Sequence, residues 1–93
     1  LLPNYPNPFN PDTWIPFDLS EASEVAITIY DARGRRVRRI DLGYRAVGTY
    51  RDREQAAYWD GANDSGEPAA SGVYIYELRS RAHRKARRMV IRK

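Results

Sequence analysis

The chain has 93 residues, 42% of them hydrophobic and 30% charged, a balance that fits one folded domain and excludes a disordered chain. It has no cysteine, which excludes disulfides and thiolate metal sites, and no apolar run approaches the roughly 20 residues of a membrane-spanning helix. The net charge is +4, and every Lys and Arg lies either in residues 33–53 or in residues 79–93.

The first predicted element is an extended segment over residues 4–11 (NYPNPFNP). Its prolines fix their own φ and favour extended backbone in the residues before them. We expect Tyr5 and Phe9 to anchor this segment on the rest of the domain. The preceding Leu1-Leu2-Pro3 looks like a cut within a linker, so we expect the chain to be a piece of a longer protein.

Residues 13–19 (TWIPFDL) alternate large apolar residues with others at period 2, which predicts a half-buried strand. Pro16 has no N–H for a sheet, so this strand is placed at an edge or with that position at solvent. A turn is predicted over residues 20–23. The inward-facing residues would be Ile15, Phe17 and Leu19.

A hairpin is predicted from the next two strands. Residues 25–30 (VAITIY) are rich in β-branched residues, and Gly34 is the expected positive-φ residue of the turn. The second strand covers residues 36–42, where the spacing of Val37 and Ile40 breaks strict alternation and predicts a bulge or a strand end between them. The inward residues of the first strand would be Val25, Ile27 and Ile29.

Residues 43–55 carry the weakest pattern and are predicted to form an exposed loop or an edge strand, with Tyr50 as its inward residue. Residues 57–78 are predicted to form a β-hairpin or a β-arch. This stretch has an aromatic strand end, a turn region rich in Gly, Asp, Asn and Ser, and a second strand over residues 73–78.

A basic turn over residues 81–84 leads into the last predicted strand, residues 86–93, with Met89 and Ile91 facing inward. The whole chain therefore offers six or seven short strands at about 10-residue spacing. We predict a single all-β domain over residues 1–93, an immunoglobulin-like antiparallel β-sandwich of about seven strands.

Catalytic and metal-binding patterns were searched for in turn. His83, the only histidine, lies among cations that favour its neutral form, and no carboxylate is placed to orient it. Asp60, Asn63 and Asp64 suggest a calcium loop, but their spacing does not match an EF-hand, and turn formation is the favoured interpretation. We predict no catalytic residue, no metal ligand and no cofactor, and hence a protein that is not an enzyme.

The basic blocks allow two interpretations, a solvated surface or a binding site for nucleic acid. Nucleic acid is the least favoured partner, because the aromatic residues fall mostly outside the basic blocks and no recognition motif is present. The arginines considered for phosphate contacts are Arg35, Arg36, Arg38, Arg39, Arg84, Arg87 and Arg88.

Three blocks of sequence, read in order, resemble one family. They are the NYPNPFNP block, the VAITIYD strand with its following turn, and the segment from WDG to ASGVY. This order resembles the C-terminal sorting domains of proteins exported by the bacterial type IX secretion system, which are similar to the immunoglobulin-like domain of the flagellar hook-capping protein. The motif residues are Asn4, Tyr5, Pro6, Asn7, Pro8, Phe9, Asn10, Pro11, Trp59, Asp60, Gly61, Gly66, Gly72, Val73 and Tyr74.

The resemblance implies a β-sandwich at the C-terminus of a larger secreted protein, which passes the periplasm and ends at the cell surface or outside. Its implied partners are the outer-membrane secretion machinery and a cargo domain upstream in the same protein. For the motif itself we favour structural roles: Trp59 in the core, Gly61 and Gly72 in turns, and Tyr74 as packing or a tyrosine-corner-like hydrogen bond. The candidate recognition residues are Arg84, Arg87, Arg88, Arg92 and Lys93.

Recognition by strand addition or by an acidic partner surface suits a basic last strand. In the usual sandwich arrangement both Arg blocks fall in one sheet, and we predict one basic face from them. The alternative function is a structural or adhesive immunoglobulin-like module of an extracellular protein, one that contacts polysaccharide. In that case the NYPNPFNP block is an interdomain linker clamp without signal content.

Overall fold

The backbone forms eight strands and no helix over residues 1–81 and 83–93, the part of the chain that the computed structural model describes. The short N-terminal and middle strands carry the smaller layer of the fold, and the long strands carry the larger one. The strands are β1 (Thr13–Ile15), β2 (Phe17–Leu19), β3 (Ser23–Asp31), β4 (Arg36–Arg45), β5 (Gly48–Tyr50), β6 (Ala57–Trp59), β7 (Gly72–Arg79) and β8 (Arg84–Ile91).

The larger sheet has four antiparallel strands in the order β4-β3-β7-β8. Its central strand β3 follows the predicted alternation, because the inward residues Val25, Ile27 and Ile29 are all buried. The hairpin to β4 turns at Gly34, which has the predicted positive φ of 84°. The Asp31 carboxylate closes this turn by accepting hydrogen bonds from two backbone amides of residues 33 and 35.

Strand β4 is longer than predicted and carries two bulges. It continues to Arg45 instead of ending at residue 42, because its residues keep pairing with the start of β3. Residues 38–40 pair regularly with β3, and the register steps over Val37 and Leu42. The two bulges therefore lie at these residues, and the first of them is the irregularity predicted from the spacing of Val37 and Ile40.

The smaller layer consists of two strand pairs, β1 with β6 and β2 with β5. The predicted single strand over residues 13–19 is two strands, separated by Pro16 at the point where the pairing partner changes. Pro16 lacks an N–H, and its carbonyl oxygen accepts a hydrogen bond from the Leu2 N–H at 3.1 Å. The alternation itself is confirmed, since Ile15, Phe17 and Leu19 are buried.

Residues 57–78 form a β-arch rather than a hairpin, because β6 pairs with β1 while β7 joins the larger sheet. The arch carries the chain from one layer to the other, and Trp59 on β6 and Tyr76 on β7 are both fully buried in the core between the layers. β5 is the predicted edge strand, and Tyr50 stacks on Phe17 at 4.8 Å between ring centroids. The result is the predicted all-β, immunoglobulin-like sandwich.

Candidate interaction edge at the last strand

The N-terminal segment closes one side of the sandwich by pairing with both layers. Tyr5 forms an antiparallel bridge with Trp14, and Phe9 forms a parallel bridge with Ile91 at the end of β8. Phe9 is 2% exposed and meets Trp59 edge to face, with 5.6 Å between ring centroids. The predicted anchors are confirmed, and residues 4–11 are part of the folded domain.

A buried hydrogen-bond network fixes the start of this segment. The Asn4 N–H donates to the Tyr76 hydroxyl at 3.0 Å, and that hydroxyl donates to the Leu2 carbonyl oxygen at 2.9 Å. The Asn4 side-chain amide donates to Thr13 Oγ1 at 3.1 Å. Burial raises the pKa of Tyr76 above its ordinary value, so the hydroxyl stays protonated and available as a donor.

The WDG block has the predicted structural role. Trp59 is fully buried, and its indole N–H donates to the Ala62 carbonyl oxygen at 2.8 Å. Gly61 has φ +81°, and a Cβ atom built there would lie 2.1 Å from the Pro11 carbonyl oxygen. Only glycine therefore fits at this point, where the end of the N-terminal segment contacts the arch.

The Asn63 and Asp64 side chains act as turn formers. Asn63 Oδ1 accepts the N–H groups of Ser65 and Glu67, both at 2.9 Å. Asp64 Oδ1 accepts the Arg39 N–H at 3.0 Å, and this bond is the largest cause of its lowered pKa. Gly66 has a positive φ of 85°. In the described residues, no group of three or more His, Asp or Glu side chains is placed to hold a metal ion.

The rest of the motif lies at the start of β7. The Tyr74 hydroxyl donates to the Ala70 carbonyl oxygen at 2.7 Å, which is the predicted corner-like hydrogen bond. The prediction for Gly72 is wrong in part: it is the first residue of β7 and pairs with Ile91, so it belongs to a strand and not to a turn. Val73 is 44% exposed on the outer face of the sheet.

The side of β8 that faces away from β7, over residues 84–92, is called the β8 edge below. Its C-terminal end is already occupied by the N-terminal segment. The Phe9 N–H donates to the Val90 carbonyl oxygen at 3.1 Å, and the Arg92 N–H donates to the Phe9 carbonyl oxygen at 3.1 Å. The Val90 N–H donates to Asn7 Oδ1 at 3.0 Å. The backbone N–H and C=O groups of Val90 and the N–H of Arg92 therefore point away from β7.

The predicted recognition residues surround the β8 edge instead of lying on one face. Successive side chains of a strand point to opposite faces of its sheet. Arg84 and Arg88 are therefore on the outer face, while Arg87 is on the side of Tyr76. All three are exposed, as are Arg92 and Lys93 after the strand.

The two Arg blocks lie in one sheet, as predicted, and the strand register places Arg36 and Arg39 of β4 on the same outer face as Arg84 and Arg88 of β8. β4 and β8 are the opposite edges of this sheet, and three strand spacings of about 4.8 Å separate them by roughly 14 Å. Four cations of the first block, three of them on β4, are also paired with acids, which reduces the free positive charge of that block. The ion pairs are Arg35–Asp31, Arg36–Asp64, Arg38–Asp60 and Arg39–Asp41, at 2.9–3.2 Å.

The β8 edge carries the less compensated block. Arg84 Nε lies 3.9 Å from a Glu77 carboxylate oxygen, the limit of an ion pair. Lys85, Arg87 and Arg88 form no salt bridge within the described residues, 1–81 and 83–93. In the described residues, β8 and the two residues after it therefore keep more cations without a salt bridge than the first block does.

His83 contacts a serine, and it forms no ion pair with an acid in the described residues. Its Nε2 is 3.3 Å from Ser20 Oγ, and both side chains are exposed. Asp18 lines the same small pocket, but its carboxylate takes two hydrogen bonds from Arg51 at 2.7 and 3.0 Å. Those bonds are the largest cause of its lowered pKa. No third member therefore orients the imidazole in the part of the chain that is described.

An outer row of aromatic side chains was not predicted from the sequence. Tyr5, Trp14 and Tyr58 lie on three neighbouring extended segments, with ring centroids 6.4 and 5.3 Å apart. The Arg53 guanidinium lies over the Trp14 ring at 4.3 Å, and Tyr58 is 48% exposed. In the TWI and AYW strands, alternation places Trp14 and Tyr58 on the outward face. That they are neighbours could be recognised only once the pairing of the two strands was known.

No helix in the described residues is long and apolar enough to cross a membrane. A comparison with curated proteins finds no significant match. Several solved structures resemble this fold, and three of them are FlgD, PorU and PorZ. FlgD from P. aeruginosa gives a TM-score of 0.67 at 28% identity, over 85% of this chain and 58% of the FlgD chain. The structures of PorU and PorZ, both from Porphyromonas gingivalis, are below 25% identity to this chain and therefore show the fold alone.

Dimeric latent PorU gives a TM-score of 0.71 at 20% identity, over 96% of this chain and 9% of PorU. PorZ, an essential surface component of the type IX secretion system, gives 0.63 at 19% identity, over 98% of this chain and 11% of PorZ. This chain thus matches only part of each of these proteins. The family profile of the FlgD Ig-like domain matches residues 13–83, which is more than half of the chain. This chain therefore belongs to the FlgD Ig-like domain family.

Proposed function

We propose that this domain is a non-catalytic sorting signal at the C-terminus of a larger protein exported by a type IX secretion system. The outer-membrane export machinery recognises the folded domain at its last strand. The protein crosses the periplasm and ends at the cell surface or in the medium. The cargo is a domain upstream in the same chain.

The observation that carries this proposal is the charge and anchoring of β8. The strand is held by β7 on one side and by Phe9 at its end, so its exposed cations are presented on a fixed support. The sequence blocks that resemble sorting domains give the proposal further support. So does the likeness of the fold to a domain of PorZ, although at 19% identity that likeness concerns the fold only.

The test is an export assay with matched charge variants. Residues 1–93 are fused behind a signal peptide and a folded reporter in a host with type IX secretion. The variant R84Q/R87Q/R88Q removes three positive charges from the β8 edge, and R33Q/R36Q/R39Q removes three from the β4 side as a control. Both variants should fold, because exposed ion pairs contribute only about 0–1 kcal/mol each, and circular dichroism checks this expectation.

We expect the parent fusion and the β4 control to reach the surface or the medium, and the β8 variant to stay in the periplasm. If the folded parent fusion also stays in the periplasm, the sorting function is wrong for that machinery. If the β8 variant is exported as well as the parent, recognition does not depend on the cations of the last strand.

The aromatic row supports a second candidate function, that of an adhesive module that contacts polysaccharide. Flat aromatic faces next to polar groups can pack on sugar rings, and Tyr58 offers such a face while its hydroxyl donates to Asp12 at 2.8 Å. Arg53, which covers Trp14, would have to move aside for a sugar to reach that ring.

Affinity electrophoresis in gels that contain a soluble β-glucan tests this candidate. Retardation of the domain that is lost in Tyr58→Ala but kept in Val47→Ala, another exposed apolar position, would support adhesion. Equal mobility with and without the glucan would count against contact with that polysaccharide.

A further inference from the structure

The β8 edge is only partly filled by the chain itself. Asn7 and Phe9 take the outward-pointing groups of Val90 and Arg92, whereas Tyr5, two residues before Asn7, pairs with Trp14 on β1. The part of the edge before Val90 has no such neighbour in the described residues.

The orientation of the remaining backbone groups follows from the pairing. β7 and β8 pair without a register shift from Gly72↔Ile91 to Arg79↔Arg84. In an antiparallel pair, alternate residues direct their N–H and C=O groups to the partner, and those between direct them away. Because Val90 points away from β7, the residues two and four positions earlier, Arg88 and Ala86, point away as well.

A groove lies beside this open stretch. It has a volume of about 710 Å³ and is lined by Asn7, by Val73 of β7 and by residues 86–90 of β8. Ala86 has the smallest side chain of β8, so a neighbouring backbone can approach here. An extended segment placed in this groove would continue the line that Asn7 and Phe9 begin.

The charges around the groove select the occupant. A second copy of this chain would bring its own cationic β8 edge against the first, and like charges on neighbouring strands are destabilising. An acidic segment would meet Lys85, Arg87 and Arg88, which form no salt bridge in the described residues. The charge that prevents self-association thus favours a strand with carboxylate side chains.

We propose that the β8 edge binds an extended acidic peptide segment of a partner by strand addition, with the backbone groups of Ala86 and Arg88 as the paired positions. This deepens the proposed function and rests on it for the origin of the segment, a component of the export machinery. Specificity for acidic side chains would come from the cations of β8, Lys85 and Arg87 on one face and Arg84 and Arg88 on the other. The hydrogen bonds of the main chain would supply the directional contact.

The experiment uses a defined probe, a fluorescein-labelled peptide of about seven alternating Glu and Val residues, the length of a common strand. Binding to the 93-residue chain is measured by fluorescence anisotropy at low salt. The decisive variant is Ala86→Pro, which removes one outward-pointing N–H at a position where an edge strand tolerates proline. Ala86→Ser keeps the N–H and serves as its control.

We expect Ala86→Pro to weaken binding roughly tenfold, through a lost hydrogen bond and the obstruction of the proline ring, while Ala86→Ser binds as the parent does. Circular dichroism and the urea midpoint establish that both variants are folded. As a readout that needs no variant, the peptide should slow amide hydrogen exchange at Ala86 and Arg88 in the parent chain.

The inference is wrong if the two amides gain no protection, or if folded Ala86→Pro binds the peptide as tightly as the parent. Equal binding of an alternating Lys and Val peptide would overturn the acidic specificity. Tighter, steeply salt-dependent binding of a single-stranded oligothymidylate would assign the edge to nucleic acid instead. If the peptide binds but export fails, the sorting function is wrong and strand addition stands. If export occurs but the peptide does not bind, strand addition of an acidic segment is wrong and the sorting function stands.

Discussion

Replacement of Phe9 by alanine tests whether the N-terminal segment is a structural part of the sandwich. Phe9 is 2% exposed, packs edge to face on Trp59, and pairs with the end of β8. Burial of such a side chain contributes about 1.5–3 kcal/mol, and the cavity left by Phe→Ala raises the total cost to about 3–5 kcal/mol. We expect Phe9→Ala to lose that much of the free energy of unfolding.

A loss of this size is large for a 93-residue domain, since total stabilities are about 5–15 kcal/mol. At about 4–8 °C per kcal/mol, a loss of 3 kcal/mol corresponds to a fall in Tm of roughly 12–24 °C. Urea unfolding followed by tryptophan fluorescence measures the free energy, and circular dichroism follows Tm. Amide exchange at Val90 and Arg92 should also accelerate, because the Phe9 backbone covers that part of the β8 edge.

Val47→Ala is the matched control, since Val47 is 62% exposed and its truncation should change stability by less than about 0.5 kcal/mol. A cost below about 1 kcal/mol for Phe9→Ala, with unchanged exchange at Val90 and Arg92, would refute the reasoning. The segment would then be a linker that rests on the domain without stabilising it.

Three further predictions concern the motif and the turns. In urea unfolding, Gly61→Ala should lower the free energy of unfolding clearly more than Gly66→Ala does. The φ angles are similar at both residues, but only a Cβ at Gly61 would contact a backbone carbonyl oxygen. The Gly66 substitution should lower the free energy by about 1–2 kcal/mol. Tyr76→Phe should cost about 1–3 kcal/mol by the same assay, because a buried N–H of the N-terminal segment loses its acceptor. The lowered pKa of Asp64 gives stability that is present above pH 3.8 and lost as pH falls through the folded-state value. Asp64→Asn should therefore flatten the acid side of a Tm-against-pH profile.

Each of these predictions has a result that would contradict it. Equal costs at Gly61 and Gly66 would mean that the contact with Pro11 relaxes without strain. A Tyr76→Phe variant as stable as the parent would show that water replaces the hydroxyl. Parallel pH profiles for Asp64→Asn and the parent would place the acid-sensitive group elsewhere.

Local patterns were sufficient where one strand, one turn or one residue decides its own geometry. The alternation of β3 places Val25, Ile27 and Ile29 inward whatever its neighbours are, and Gly34 is at the turn because it accepts positive φ. For the same reason, the roles of Trp59 and Tyr74 were predictable from the sequence. Those features contributed to the prediction of the sandwich and, together with the NYPNPFNP block, to the family resemblance.

Pairing partners were beyond local patterns, because the choice of a neighbour depends on residues far along the chain. The TWIPFDL stretch keeps one alternation across Pro16, yet its two halves pair with different strands. Gly72 has the composition of a turn residue, but its partner Ile91 makes it part of β7. The aromatic row likewise exists only because β1 lies between the N-terminal segment and β6.

The sequence by itself determined an all-β domain with a cationic last strand, because side-chain periodicity and charge are properties of the chain alone. Only the tertiary structure decided that the two Arg blocks are separated by two strands and that four cations of the first block are paired with acids. It also decided that residues 7–9 cover one end of the β8 edge and leave the rest open. The physical reason is that hydrogen bonds between strands and ion pairs between loops join residues distant in sequence, and no local pattern specifies which of them meet.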